Sequence, residues 1–94
     1  MAGNYFSLIP EINDHLKWRE EEKNKITLDA PGGEIELDCY GAMLWKKIDG
    51  KRRVLDIADE LGKELEEDKD LSLQRAIVFM QILRRRKLIR FADI

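Results

Sequence analysis

Residues 35–65 read IELDCYGAMLWKKIDGKRRVLDIADELGKEL. In order, they hold the end of a short strand, a tight turn, a helix, an Asp-Gly exit and a second helix. Ile35 and Leu37 alternate with Glu34 and Glu36, the period of a strand with one buried face. Asp38 offers a carboxylate to backbone N–H groups two or three residues on, the chemistry of a helix N-cap, and predicts a helix over about 40–48. Leu44, Trp45 and Ile48 share one face of it, with Met43 nearby, and Lys46 and Lys47 suit the negative end of its dipole. Gly50 can take the left-handed conformation that a helix exit requires. Over 54–67, Val54, Ile57, Ala58, Leu61 and Leu65 fall at i, i+3, i+4, i+7 and i+11, an amphipathic stripe. The other face is acidic, with Asp56, Asp59, Glu60 and Glu64. Gly62 costs about 1 kcal/mol against alanine and predicts a loose end to this helix.

Upstream, the pattern switches to period two. Residues 15–21 alternate, Leu16 and Trp18 one way, Lys17 and Arg19 the other, as in a half-buried strand. After the polar turn Glu22-Lys23-Asn24, residues 25–29 place Ile26 and Leu28 inward and Lys25, Thr27 and Asp29 outward. Pro31-Gly32-Gly33 breaks the chain before the third strand, 34–37. Connections this short allow only antiparallel pairing, so the three strands form a meander. The third is an edge, where Glu34 and Glu36 discourage accidental pairing. Residues 1–14 read as an N-terminal arm ahead of a domain over 15–91. Its cluster of Tyr5, Phe6, Leu8 and Ile9 ends at Pro10, which favours an extended chain. Such an arm either packs on its own domain or exchanges with a second copy.

Downstream, residues 66–70 are five charged residues in a row and read as a solvated linker. A third helix is expected over 72–87, with Leu73, Ala76, Ile77, Met80 and Leu83 in its core sector and Phe79 flanking them. Val78 and Ile82 lie on the far side, with Arg75 and Arg86 beside Ile82. They are either scattered surface aliphatics or a second apolar stripe beside a groove. Leu88, Ile89 and Phe91 dock the tail as an extended segment. The fold class is α+β, a three-stranded antiparallel sheet followed by a three-helix bundle.

Ninety-four residues make one domain. A 44% apolar and 38% charged composition fits a soluble globular chain, and a net charge of −2 gives no general pull toward nucleic acid or anionic membrane. The single cysteine excludes an internal disulfide framework, and no run approaches the roughly 20 apolar residues of a membrane span. No signal peptide is visible, so the expected location is the cytoplasm. One histidine and one cysteine cannot make a His/Cys metal site. His15 has no nucleophile near it in sequence and reads as a surface residue. Cys39 reads as a small, partly buried packing residue. The run Arg84-Arg85-Arg86-Lys87 is accounted for by the helix dipole. No catalytic, metal or cofactor site emerges.

The order of three short strands then three helices, with LDCYGAMLWKKIDGKRRVLDIADEL at the joint, resembles the PqqD family. The matching parts are Leu37-Asp38, Gly41, Leu44-Trp45, Ile48-Asp49-Gly50, Lys51-Arg52-Arg53 and Val54-Leu55-Asp56-Ile57, then Phe79, Leu83 and Leu88-Ile89. The resemblance implies a winged helix-turn-helix-like fold and a non-enzymatic peptide chaperone. Such modules recognise the leader of a ribosomally made precursor peptide and present it to a modifying enzyme, often a radical S-adenosylmethionine enzyme. Leader binding in the family resembles strand addition, which takes affinity from backbone hydrogen bonds and selectivity from alternate side-chain pockets. Carried onto this sequence, Glu34, Ile35, Glu36 and Leu37 form the template strand. Val78, Phe79 and Ile82 form the groove wall, and Arg75, Arg85 and Arg86 pair with acidic leader residues. The implied partners are a precursor peptide and its modifying enzyme, with the module a monomer or a homodimer, and no membrane. Two alternatives stand beside this: a winged-helix DNA binder, against which the net negative charge and acidic second helix count, and a dimerisation module with no peptide ligand.

Overall fold

Along residues 25–38 Ile26, Leu28 and Leu37 face inward as expected, but Thr27, expected outward, is buried, its hydroxyl donating to Glu21 at 3.1 Å. In the computed structural model, which describes residues 5–92 apart from the side chains of Tyr5 and Asp38, a 3-10 turn at Tyr5–Ser7 opens the chain. There follow β1 (Ile9–Ile12), β2 (Lys17–Glu22), β3 (Lys25–Ala30), β4 (Gly33–Asp38), α1 (Tyr40–Lys46), α2 (Val54–Leu65), α3 (Lys69–Arg85) and β5 (Ile89–Ala92). β2, β3 and β4 pair in that order as an antiparallel sheet, so β2 and β4 are its two edges. The hairpin between β3 and β4 turns on Pro31 and Gly32. Gly32 has φ 92°, and Pro followed by a positive-φ glycine is the type II turn pattern.

Ile26, Leu28 and Leu37 face inward from the sheet and meet Leu44 and Trp45 of α1, Ile57 and Leu61 of α2, and Met80 and Leu83 of α3 in one buried core. β2 is covered least. All six of its residues are exposed, and Trp18 keeps 41% of its surface in water. The expected half-buried strand is therefore corrected. Its alternation gives the right face, and Trp18 meets the buried Trp45 in a T-shaped contact with centroids 6.1 Å apart, but the strand is an edge and stays exposed. Leu16 precedes the strand and packs half-buried against the core.

The helices start and stop close to the expected places, with four differences. α1 ends at Lys46 with Lys47 as a right-handed C-cap, so Gly50, at φ 76°, belongs to the link before α2 and not to the helix exit. α1 is entered through Cys39, which sits at φ 47° with no side-chain cap; the side chain of Asp38 lies outside the described residues. α3 begins at Lys69, not at residue 72. The carboxylate of Asp68 accepts from the backbone N–H groups of Asp70 (3.1 Å) and Leu71 (3.3 Å), so the last charged residues of the expected linker form a capped first turn. Gly62 is a close approach, not a loose end. It is buried, and a Cβ there would stand 3.1 Å from the Ser72 side chain, whose hydroxyl donates to the Ala58 carbonyl at 2.7 Å. α2 and α3 lock together at that point, while α1 leans mainly on β4.

Two short strands far apart in sequence pair with each other. β1 pairs antiparallel with β5, from Ile9 opposite Ala92 to Ile12 opposite Ile89. The Leu8 carbonyl also accepts the Val54 N–H at 2.9 Å, satisfying a donor at the start of α2. Ile89, the innermost rung of this clasp, and Leu88 before it are buried.

Candidate functional site

β4 has β3 on one side and an open edge on the other. Glu34 and Glu36 are exposed on its outer face; on the inner face Ile35 is half-buried and Leu37 buried. Immediately after the strand the chain turns into α1, and Gly41 lets α3 come close. A Cβ on Gly41 would lie 2.6 Å from the tip of the Phe79 ring and 3.6 Å from the Leu37 Cβ. Leu37, Gly41 and Phe79 thus join the end of β4 to the flank of α3. Tyr40 completes the contact, its ring edge-on to Phe79 with centroids 6.0 Å apart.

Along α3, Leu71, Arg75, Val78 and Ile82 recur at i, i+4, i+7 and i+11 and form one exposed stripe. Leu71 is 48%, Val78 55% and Ile82 45% exposed. Arg85 and Arg86 carry the stripe to the end of the helix, both exposed and with no carboxylate partner among the described residues. Arg75 is already engaged. Its guanidinium binds Glu67 and lies over the Tyr40 ring, 4.1 Å from the centroid. Burial pushes the Tyr40 hydroxyl up to about 12, with Arg75 opposing and Glu67 reinforcing the shift. The Tyr40 Oη and the Glu67 Oε1 are both buried without a hydrogen-bond partner among the described residues.

All ten residues singled out in the sequence therefore lie on two elements, β4 and α3 with its C-terminal cap. The packing brings Leu37, Arg75 and Phe79 to one corner. Tyr40 at that corner and Leu71 in the α3 stripe were missed. Leu71 was hidden by the late helix start: with Asp68 read as the N-cap, it falls seven residues before Val78, in the same stripe. Tyr40 is the first helical residue, where a wheel drawn from the apolar run gives no face. Cys39 is exposed rather than partly buried, because the positive φ turns it outward. Among the described residues no group of three or more His, Cys, Asp or Glu side chains is placed to hold a metal ion.

The family model for PqqD, coenzyme PQQ synthesis protein D, matches residues 24–89. The chain belongs to the PqqD family. No curated protein matches it. Among solved structures it is similar to the solution NMR structure of the PqqD truncation of Methylobacterium extorquens PqqCD, which is described as a functional, stand-alone recognition element for ribosomally synthesised and post-translationally modified peptides. The two are 23% identical, with a TM-score of 0.74 and 95% of each chain covered. At that identity the likeness establishes the PqqD fold, and the family model establishes membership. Among the described residues no helix is long and apolar enough to cross a membrane.

Proposed function

We propose that this PqqD-family chain is a non-enzymatic peptide-binding module. It takes the leader of a ribosomally made precursor peptide and presents it to a modifying enzyme, of the radical S-adenosylmethionine type, in the cytoplasm. The observation that carries the reading is the open edge of β4, joined through Leu37, Gly41 and Phe79 to α3, whose Leu71, Val78 and Ile82 are exposed. An extended peptide added to that edge gains backbone hydrogen bonds and lays alternate side chains against α3. In this reading Glu34 to Leu37 are the template and Val78, Phe79 and Ile82 the wall. Arg85 and Arg86 are free to meet acidic leader residues, and Arg75 would exchange or share its bond with Glu67. Residues 15–91 do the binding and residues 1–14 serve as an arm; the α2–α3 pair with its neighbouring hairpin is winged helix-turn-helix-like.

The test is an amide chemical-shift titration with a synthetic leader peptide of a candidate precursor. Shifts are expected along β4 and α3. Val78→Asp or Ile82→Asp is expected to abolish binding while leaving the free protein folded, because both side chains are in water before the peptide arrives. Burying the new charge against apolar peptide side chains costs several kcal/mol. Arg85→Ala and Arg86→Ala each lose about 1 kcal/mol or less if their pairs stay at the rim. Shifts confined to the acidic face of α2 or to the β1–β5 clasp would show that the site is misplaced.

A further inference from the structure

We propose that the segment taken up at β4 is an extended peptide that seats one Lys or Arg opposite Glu36, with apolar residues on either side of it. This rests on the peptide-binding reading above and adds the chemistry of the ligand. The turn at Pro31 and Gly32 makes Ala30 and Gly33 the closing pair of a two-residue hairpin. Hydrogen-bonded pairs recur at every second position from there, at Leu28–Ile35 and Ile26–Leu37, and the Cys39 N–H to Asn24 carbonyl bond (3.0 Å) continues the series. Glu34 and Glu36 therefore turn their backbone N–H and C=O groups away from β3, toward the open side. A fourth strand would bond to these two residues. Its residue opposite Glu36 would project its side chain onto the face of the Glu36 carboxylate. The residues before and after would project to the other face, beside Ile35 and Leu37, where Leu37 and Phe79 both close on Gly41.

The charges on the outer face single out Glu36. Glu34 is answered by Arg19, which reaches it across the sheet at 3.6 Å and also holds Glu21 at 3.0 Å. The residue opposite Glu36 on β3 is Thr27, whose hydroxyl donates to Glu21 at 3.1 Å. Among the described residues no cation lies within ion-pair distance of Glu36. β3 gives it no partner, so the remaining cross-strand neighbour is the one on the open side. Charge on an edge deters indiscriminate pairing. The same charge selects a strand that brings a cation, and a carboxylate in that place would be repelled. On the other face the peptide must be apolar, to match Ile35 and the α3 stripe.

The probe is a random 12-residue peptide library displayed on phage, selected against the whole chain and against Glu36→Lys. Glu36 is exposed, so the variant should fold; its melting curve and amide spectrum check this. Enriched peptides are expected to carry a Lys or Arg flanked on both sides by apolar residues, and Glu36→Lys is expected to move the preference at that register to Asp or Glu. For a single enriched peptide, exchanging the basic residue should change affinity by up to about fivefold, as for a cross-strand charge pair. Enriched peptides that shift β4 and α3 amides without a basic bias, or with a bias that Glu36→Lys leaves unchanged, overturn this inference and leave the peptide-binding reading standing. Peptides that map elsewhere, or a library that yields no binder, overturn both.

Discussion

Gly41 stands where any side chain would collide with the tip of the Phe79 ring, 2.6 Å from an added Cβ. Phe79 is only half-buried, and its far end can swing. Gly41→Ala should therefore cost about 1 kcal/mol of stability, the low end for overpacking. Yet it pushes the ring toward the proposed groove and breaks its edge-on contact with Tyr40. Peptide affinity should fall by about tenfold, or about 1.4 kcal/mol; calorimetric titration beside a thermal melt separates the two effects, and unchanged affinity would remove Phe79 from the site. Tyr40 gives a second reading of the same corner. Its folded pKa is raised from 10.0 to about 12 by burial, so the folded form holds its proton after the unfolded chain has released it. The stability this contributes is complete below pH 10 and is lost as pH rises from 10 through 12. An ultraviolet titration should show Tyr40 ionising only near the top of that window. Phe79→Ala, which opens the corner to water, should bring it down; an ordinary midpoint in the unmodified chain would show that Tyr40 is solvated.

At the scale of the element, α3 depends on a cap that the composition conceals. Asp68→Ala removes the acceptor for the Asp70 and Leu71 N–H groups and should cost about 1 kcal/mol, with faster amide exchange over residues 69–72. Because Leu71 heads the exposed stripe, ligand-induced shifts at Leu71 should weaken as well; normal exchange in the variant would show that the helix start does not need the cap. The strands and helices were otherwise legible, since period two in residues 25–37 and period 3.6 in residues 54–65 come from which face is buried. What periodicity omits is depth and partner. Trp18 has the parity of a core residue and lies exposed on an edge strand. Asp68 looks like one more charge among five until the two N–H groups it receives are seen. Gly62 reads as a weak point in a helix, and only the nearness of Ser72 shows that it admits a neighbour. For the site, Val78 and Ile82 could be named from the helical wheel, whereas the Glu67–Arg75–Tyr40 contact joins three separate stretches of chain and leaves no local trace.

At the scale of the molecule, the β1–β5 clasp ties together two strands far apart in sequence. No sequence pattern announces it, because each strand has only four residues and a distant partner. Deleting residues 1–12 removes β1, the buried Pro10 and the Leu8 carbonyl that receives the Val54 N–H. If this costs about 2 kcal/mol, the melting temperature should fall by about 10 °C, at roughly 4–8 °C per kcal/mol for a domain of this size. An unchanged melt would show that the clasp adds nothing. Its geometry has a mechanical meaning as well. Ile9 and Ala92 are opposite each other at the mouth of the ladder, so tension on the two ends opens the rungs in turn, as a zipper opens, and does not load them all at once. A machine that grips either end would meet its weakest resistance first and, once the last rung parted, would draw Leu88 and Ile89 out of the core behind it.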